Sequence, residues 1–415
     1  MRRLRLVSEQ PVKAKALLAE DSFFKPVQTK PTKPADVIMF ANTDWYLYNF
    51  RRSLALRIQS LGYTVLMISP DGQFGPRLCD LGLRWEPLEM RRGSLRPDVE
   101  VQLVWRLSQI LRRERPRLIH SFTIKCAVYG SLAAALAGTP NRVNAVTGLG
   151  YVFTSNDLKA RVLAPIVRNL MRFAWIGSKT RVIVQNHDDA EALLRMGAIE
   201  AHLRLIPGSG VDCQRFRPRG AQAASRPRKR IVFCGRLLWD KGLAELVEAA
   251  RLLCNRGLKF IAAGVPDPGN PAAVPIDTIR NWESQGLVQF LGHVEDMPAL
   301  FAEADIFVLP SYREGLPRSL IEAGACGLPL IATDVPGCRD VITNGLDGIL
   351  VPSRDATELA NAIWRLVTDA DLASRLGMAA REKVMRSFDE TLVIRRTVDV
   401  YEELLPGFAT SAQNH

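Results

Sequence analysis

Residues 314–322 read E-G-L-P-R-S-L-I-E and set two carboxylates, Glu314 and Glu322, around a glycine and a proline. Ionised carboxylates only accept hydrogen bonds, so the pair suits two vicinal diols, one on a sugar and one on a ribose. Earlier in the chain, Gly235-Arg236 and Lys241-Gly242 place two cations among glycines. A diphosphate needs that chemistry: fixed positive charge and close backbone approach. Plain readings exist for each residue. Glu314 could only favour a helix N-terminus, and Arg236 and Lys241 could belong to a solvated loop. Glu322 is harder to dismiss, because an unpaired carboxylate in an otherwise apolar helix is costly.

These residues need a common edge. Ile306-Phe307-Val308-Leu309, closed by Pro310 and Ser311, has the length and bounds of a buried parallel strand. Pro317 suits a first helical position, and from Arg318 the pattern is helical. The motif therefore spans the carboxyl end of a strand and the amino end of a helix, where open α/β sheets bind ligands. Free N–H groups in that first turn suit a diphosphate or sugar hydroxyls. Ile231–Gly235 reads as another strand, with Asp240-Lys241-Gly242 just before a helix, so Arg236 and Lys241 are expected on the same edge.

The same alternation runs through most of the chain. Strands are predicted at 37–41, 64–69, 117–120, 142–146, 181–184, 231–234, 258–263, 288–291, 305–309, 328–332 and 349–351, with helical patterns between them, and 203–212 reads as a last strand and turn of the first domain. The fold class is α/β, two doubly wound Rossmann-like domains facing a cleft. The division predicted is a flexible or loosely docked tail (1–35), a first domain (36–212), a polar linker (213–229), a second domain (230–388) and a C-terminal helix folding back toward the first domain, with a tail (389–415).

The 415 residues are 47% apolar and 24% charged, which fits two soluble domains with substantial cores. The net charge of +12 is uneven. Residues 1–210 carry 31 Lys and Arg against 17 Asp and Glu, and residues 211–415 carry 24 against 26. A basic first half favours an anionic partner there: a membrane leaflet, a diphosphate-bearing lipid or nucleic acid. No nucleic-acid motif is present. In 158–176, Arg168 and Arg172 each fall about 20° from Arg161 on a helix, with Leu163, Ile166, Leu170 and Phe173 opposite. That pattern fits a core-packing helix with a solvated basic face, or a basic amphipathic element on an anionic membrane. Residues 101–117 end in a further basic run, Arg112, Arg113, Arg115 and Arg117. The seven cysteines are dispersed and form no C-x-x-C pair, which fits buried thiols in a reducing compartment. The five histidines form no metal-ligand cluster, no apolar run is long enough to span a bilayer, and M-R-R-L-R lacks a signal-peptide core. A cytoplasmic protein is expected.

G-R-L-L-W-D-K-G at 235–242 with E-G-L-P-R-S-L-I-E at 314–322 resembles the signature of glycosyltransferase family 4, retaining enzymes of the GT-B fold. P-G-S-G-V-D at 207–212, F-R-P at 216–218 and A-D-I-F-V-L-P-S at 304–311 extend the similarity over about residues 36–405. The resemblance implies that Gly235, Arg236 and Lys241 hold a donor diphosphate. It implies that Glu314 meets the donor sugar near its 3- and 4-hydroxyls, and Glu322 the ribose. The amides of Gly315 and Leu316 would meet sugar and phosphate, while His293, Val294 and the loop after Gly264 would line the base. H-S-F-T-I-K at 120–125 and N-A-V-T-G-L-G-Y-V-F-T at 144–154 are similar to members that build O-antigen, capsule or exopolysaccharide on a polyprenyl-diphosphate carrier. His120 closes a predicted strand, where a lone histidine is more often structural. The resemblance implies instead that it points into the cleft against the donor sugar, and that Lys125 meets a phosphate or the acceptor. Many members carry a Gly-Gly loop after the first strand, where this chain has Asn42-Thr43-Asp44-Trp45-Tyr46. Asn42 and Asp44 would then contact the acceptor, unless Asp44 is simply a helix N-cap.

The reading that follows is a retaining hexosyltransferase. It would move an N-acetylhexosamine, a hexose or a uronic acid, in that order of preference, from UDP to an undecaprenyl-diphosphate-linked saccharide. The basic first domain would rest on the anionic inner face of the membrane. No cofactor or metal is expected, and Asp369-Ala370-Asp371 reads as a helix N-cap before Leu372. The rivals are a nucleotide-sugar 2-epimerase of the same fold, transfer to a soluble acceptor, and a nucleic-acid binder.

Overall fold

The computed structural model describes residues 33–90, 96–146, 169–218, 229–267 and 269–409. The predicted tail over 1–32, the motif residues 147–154, the helical stretch 158–168 and linker residues 219–228 lie outside the described residues. Pro34–His415 forms one compact unit.

Two all-parallel sheets organise that unit. The first contains β1 (Val37–Phe40), β2 (Val65–Ser69), β3 (Arg84–Pro87), β4 (Leu118–Phe122), β5 (Asn141–Val146), β6 (Thr180–Val184) and β7 (Leu203–Leu205), in the order β3-β2-β1-β4-β5-β6-β7. The second contains β8 (Lys229–Cys234), β9 (Leu258–Ala263), β10 (Gln289–Gly292), β11 (Ile306–Leu309), β12 (Leu330–Thr333) and β13 (Ile349–Val351), in the order β10-β9-β8-β11-β12-β13. β1, β2, β4, β11 and β12 are buried at every position, because helices cover both faces. The strand order reverses between β1 and β4 and again between β8 and β11. Each reversal opens a crevice at the carboxyl ends of those strands.

The helices of the first sheet are α1 (Asp44–Phe50), α2 (Arg52–Ser60), α3 (Phe74–Asp80), α4 (Pro97–Glu114), α5 (Ile124–Ala137) and α6 (His187–Arg195). The sequence pattern predicts a single helix over 47–61, but the backbone leaves helical geometry at Arg51 (φ −130, ψ −7) and divides it in two. Those of the second sheet are α7 (Leu243–Leu252), α8 (Ile276–Ser284), α9 (Met297–Ala302), α10 (Arg318–Ala325), α11 (Cys338–Val341), α12 (Ala356–Thr368) and α13 (Ala370–Ser387). The Asp369 carboxylate accepts the Leu372 N–H at 2.8 Å and caps α13, as the sequence suggests.

The chain then returns to the first sheet. Val211 N–H donates to the Phe388 carbonyl (2.9 Å), and Glu390 N–H donates to the Val211 carbonyl (3.0 Å). Beyond that point α14 (Glu390–Leu404) lays Val393, Val398, Val400 and Tyr401 into one core with Val37, Met39, Leu54 and Ile58. Tyr63 and Phe408 stack with ring centroids 4.0 Å apart and hold the end of the chain there.

The basic amphipathic helix needs correction where it can be seen. Residues 169–175 are helical, but Met171, Ala174 and Trp175 form the buried face while Leu170, Phe173 and Ile176 stay exposed. Arg172 Nε donates to the Met196 carbonyl at 2.9 Å and so ties this helix to the end of α6. The basic run at the end of α4 is largely spent inside the protein too. Arg112 donates to the Leu136 carbonyl, Arg113 pairs with Glu86 and Glu114, and Arg117 lies over the Tyr63 ring.

Candidate active site

At the switch point of the second sheet, the loops after β8 and β11 meet. The Lys241 ammonium lies 2.5 Å from Glu314 Oε1, and both side chains are largely buried. Ser311 Oγ donates to the same oxygen at 2.7 Å. The backbone makes this contact possible. Gly242 has φ +71, and a Cβ there would stand 2.0 Å from the Pro310 carbonyl oxygen, so only glycine lets the Lys241 loop press against the end of β11. Tyr312 N–H closes the junction by donating to the Asp240 carbonyl (2.8 Å). Burying this cation with this anion makes each tolerable to the other.

Pro317 is the residue before α10 rather than its first, with φ −76 and ψ 101. The first turn of α10 is tied to the neighbouring strand by Ser319 Oγ, which donates to the Cys234 carbonyl at 3.0 Å. Glu322 lies one turn further along α10, 9% exposed, and accepts from Arg318 Nε at 2.7 Å. Burial raises the Glu322 pKa, and the Arg318 and Arg215 guanidiniums oppose that rise. The amides of Gly315 and Leu316 have no hydrogen-bond partner among the described residues.

Gly235 follows β8 directly, and its carbonyl sits so close to Gly264 that a Cβ there would stand 1.8 Å from it. Arg236 does not join Lys241 and Glu314. Its guanidinium is 53% exposed and pairs with Asp267 of the loop after β9 at 2.6 Å. His293 is exposed just beyond β10, and Val294 packs partly against the core. Gly235, Arg236, Lys241, His293, Glu314 and Glu322 thus belong to a single sheet edge, with Lys241 and Glu314 in contact.

The first sheet supplies the facing wall. Asn186 Nδ2 donates to the Gly315 carbonyl (2.6 Å), and the Gly208 backbone packs against the Leu316 side chain. Arg318 Nη1 donates to the Asn49 carbonyl and to Ser209 Oγ, both at 3.0 Å.

Several expectations for this wall are corrected. His120 does not close its strand. β4 runs on to Phe122, and His120 is internal to it, 1% exposed, with Nδ1 2.6 Å from the Tyr401 hydroxyl. Burial and the nearby Arg51 charge hold its pKa well below the ordinary value. The ring packs against Tyr401 of the core that receives α14, while its Nε2 is buried with no hydrogen-bond partner among the described residues. Phe122 ends the strand instead, and the Arg51 guanidinium lies 4.5 Å from its ring centroid. Nor is Asp44 the cap of α1. Thr43 Oγ1 accepts the Tyr46 N–H, while the Asp44 carboxylate takes the N–H groups of Trp45, Phe74 and Gly75. With its oxygens engaged by three amides, Asp44 anchors the 72–75 loop and is not open to an acceptor. Lys125 pairs with Glu100 of α4 at 2.9 Å. Asn42 is half-buried at the end of β1.

Ser311, Asp267, Asn186 and Arg318 were not singled out from sequence. Only Arg318 carried a local signal, standing four residues before Glu322 on a helix.

Cations and carboxylates thus share one edge of the second of two facing Rossmann-like sheets. Comparison with known proteins supplies the family. Residues 49–208 match the family described as glycosyl transferase 4-like domain, and residues 228–369 match glycosyl transferases group 1. The chain belongs to this glycosyltransferase family. It is 28% identical to an N,N'-diacetylbacillosaminyl-diphospho-undecaprenol alpha-1,3-N-acetylgalactosaminyltransferase of Campylobacter jejuni, over 86% of this chain and 96% of that one. It is 27% identical to a UDP-Gal:alpha-D-GlcNAc-diphosphoundecaprenol alpha-1,3-galactosyltransferase of Escherichia coli, over 72% and 78%. Among solved structures, Anabaena Alr3699/HepE in complex with UDP and glucose superimposes with a TM-score of 0.72 at 21% identity, covering 89% of this chain and 99% of that one. Sucrose-phosphate synthase from Thermosynechococcus elongatus gives a TM-score of 0.73 at 22% identity, with the same coverage. At such identities the likeness is one of fold, the GT-B arrangement.

Proposed function

We propose that this protein is a retaining glycosyltransferase that moves an N-acetylhexosamine or a hexose from a UDP-sugar to an undecaprenyl-diphosphate-linked saccharide in cell-surface polysaccharide synthesis. The observation that carries it is the Lys241–Glu314 pair, with Glu322 a turn beyond, at the switch point of the second sheet. The C. jejuni and E. coli relatives, both named for diphosphoundecaprenol-linked acceptors, support the acceptor class.

In this reading the donor diphosphate takes the place of the charges that now neutralise one another. Lys241 turns part of its charge from Glu314 to the diphosphate, and Arg236 leaves Asp267 to meet its other side. Both cations then stabilise negative charge gathering on the departing nucleotide, which needs no metal of its own. Glu314 accepts from the hydroxyls of the donor sugar, Glu322 accepts from the ribose, and the amides of Gly315 and Leu316 meet sugar and phosphate. Gly235 allows close approach of the backbone, and His293 and Val294 line the base. In this reading the acceptor hydroxyl attacks the anomeric carbon from the leaving-group face, without a dedicated protein base. Its proton passes to a donor phosphate oxygen, and configuration is retained.

The acceptor's lipid requires the protein to work at a membrane. Among the described residues no helix is long and apolar enough to cross one. We propose peripheral attachment through α4 and α5 of the first sheet, where Val101, Trp105 and Leu136 are each more than half exposed and Arg106 is exposed next to Trp105. Exposed aromatic and aliphatic side chains next to arginines suit an anionic interface.

The test is incubation with UDP-N-acetylglucosamine, UDP-N-acetylgalactosamine, UDP-glucose and UDP-galactose and a polyprenyl-diphosphate-linked N-acetylhexosamine, followed by extraction of the lipid. The expected result is one sugar added, with the donor's anomeric configuration by NMR. Epimerised donor formed without any acceptor, or transfer only to a water-soluble sugar, would overturn the proposal.

A further inference from the structure

Arg318 sits inside the ligand motif yet makes more contacts across the crevice than toward it. Its Nε donates to Glu322 Oε1 at 2.7 Å, while its Nη1 donates to the Asn49 carbonyl and Ser209 Oγ of the opposite wall, both at 3.0 Å. The guanidinium plane lies over the Phe50 ring, 4.8 Å from its centroid. One planar cation therefore joins a carboxylate on the second sheet's α10 to the α1 end and the 207–210 turn of the first. Only a fork of fixed donors can do this, because a lysine ammonium cannot span these groups and stack at once. The Asn49 and Ser209 oxygens come within reach only while the two walls are together. Separation of the walls would release the far end of the side chain and, with it, the orientation of Glu322.

We infer that Arg318 is a positioning residue that couples the readiness of Glu322 for the donor ribose to closure of the two domains. This rests on the reading of Glu322 as the ribose contact. Arg318 has a second consequence for that carboxylate. The charged and titratable groups around Glu322 are Arg318 on its own helix, Arg215 from the turn that leaves the first sheet, and the thiols of Cys234 on β8 and Cys326 at the end of α10. The thiols are held neutral by burial, and Arg318 is the cation in contact. Without it, burial has less to oppose it and Glu322 titrates closer to neutral pH. A protonated carboxyl is a poorer acceptor for two diol hydroxyls.

The experiment is calorimetric binding of UDP to wild-type protein, Arg318→Met, Arg318→Lys and Glu322→Ala at pH 6.5, 7.5 and 8.5. Affinities are read as the ratio of variant to wild type at each pH, so that titration of UDP itself cancels. Radius of gyration is measured by solution scattering with and without saturating UDP. Arg318→Met should bind UDP about tenfold or more weakly at pH 6.5, the size of one lost charge-assisted hydrogen bond, and recover part of that loss by pH 8.5. Arg318→Lys keeps a cation near Glu322, so its loss should be smaller and independent of pH. In both variants UDP should compact the protein less than it does the wild type. If Glu322→Ala weakens UDP while both Arg318 variants bind and compact like wild type, Arg318 merely packs the two walls and the inference fails. If Glu322→Ala binds UDP normally, the ribose reading fails, and with it the ground for this inference. A uniform loss in Arg318→Met with no recovery at high pH would overturn the charge argument.

Discussion

Replacing Lys241 by methionine keeps the length of the side chain and removes its charge from a site where the partner stays behind. The Lys241 side chain is 18% exposed and that of Glu314 10%, so the Glu314 carboxylate would be left in a poorly hydrated place with, among the described residues, the Ser311 hydroxyl donating to it. Breaking a buried pair from one side costs about 3–5 kcal/mol, and the residual exposure and the Ser311 contact place this case near the lower figure, ~3 kcal/mol. Glu314→Gln alone strands the ammonium and should cost a comparable amount. The double variant, Lys241→Met with Glu314→Gln, removes both charges together and should lose well under the sum, leaving a coupling of about 2 kcal/mol. Urea unfolding followed by fluorescence, with the slope checked for constancy across the four proteins, measures each term. A single-variant loss below about 1 kcal/mol, or strict additivity in the double variant, would refute the claim that these groups neutralise one another.

Two further outcomes follow from the site's surroundings. Because burial holds His120 neutral in the fold while the unfolded chain protonates it near pH 6.5, its contribution to stability is present above that value and is lost as pH falls below it. Urea midpoints from pH 7.5 to 5.0 should therefore fall more steeply in wild type than in His120→Gln, by up to about 1.4 kcal/mol per pH unit; equal slopes would contradict the assignment. Gly242→Ala would force a Cβ against the Pro310 carbonyl at a positive φ, so the Lys241 loop must move. UDP affinity should drop at least tenfold by calorimetry while far-ultraviolet circular dichroism stays near wild type, and unchanged affinity would mean that the loop does not hold the diphosphate.

Much of the fold is written in the strands. Residues 258–263 and 349–351 are strands as the pattern predicts, and the other predicted strands shift at an edge by a residue or two, because strands buried on both faces read as apolar runs between turn residues; the edge strand β3, only partly buried, carries no such run and is not predicted. The second-sheet loops also carry a local signal, since Gly242 and Gly264 mark where one loop presses against another. What sequence hides is pairing at a distance. His120 looks like a strand end facing a crevice because Tyr401, the hydroxyl it meets, lies 281 residues away. Asp44 resembles a helix cap because nothing local reveals that Phe74 and Gly75 will present their amides to it. The sequence pattern turns the helix over 169–175 the wrong way, because Met171, Ala174 and Trp175 repeat at helical spacing as well as Leu170, Phe173 and Ile176 do. Periodicity gives a helix two apolar stripes here, and only the packing against β5 and β6 chooses between them. The break at Arg51 follows from its guanidinium reaching the Tyr46 hydroxyl and the Phe122 ring, a tertiary contact with no signature in the surrounding residues.

The account's central claim is that the edge of the second sheet, with Lys241, Glu314 and Glu322, is the donor site. Calorimetry of UDP and GDP against the wild-type protein, Glu322→Ala and Arg236→Ala tests it most directly. Arg236 is exposed and Glu322 buried, so a loss of binding common to both variants would reflect the site and not the stability of the fold. The account predicts that UDP binds more tightly than GDP and that each substitution weakens UDP by about tenfold or more. Binding of neither nucleotide, or UDP binding indifferent to both substitutions, would contradict it.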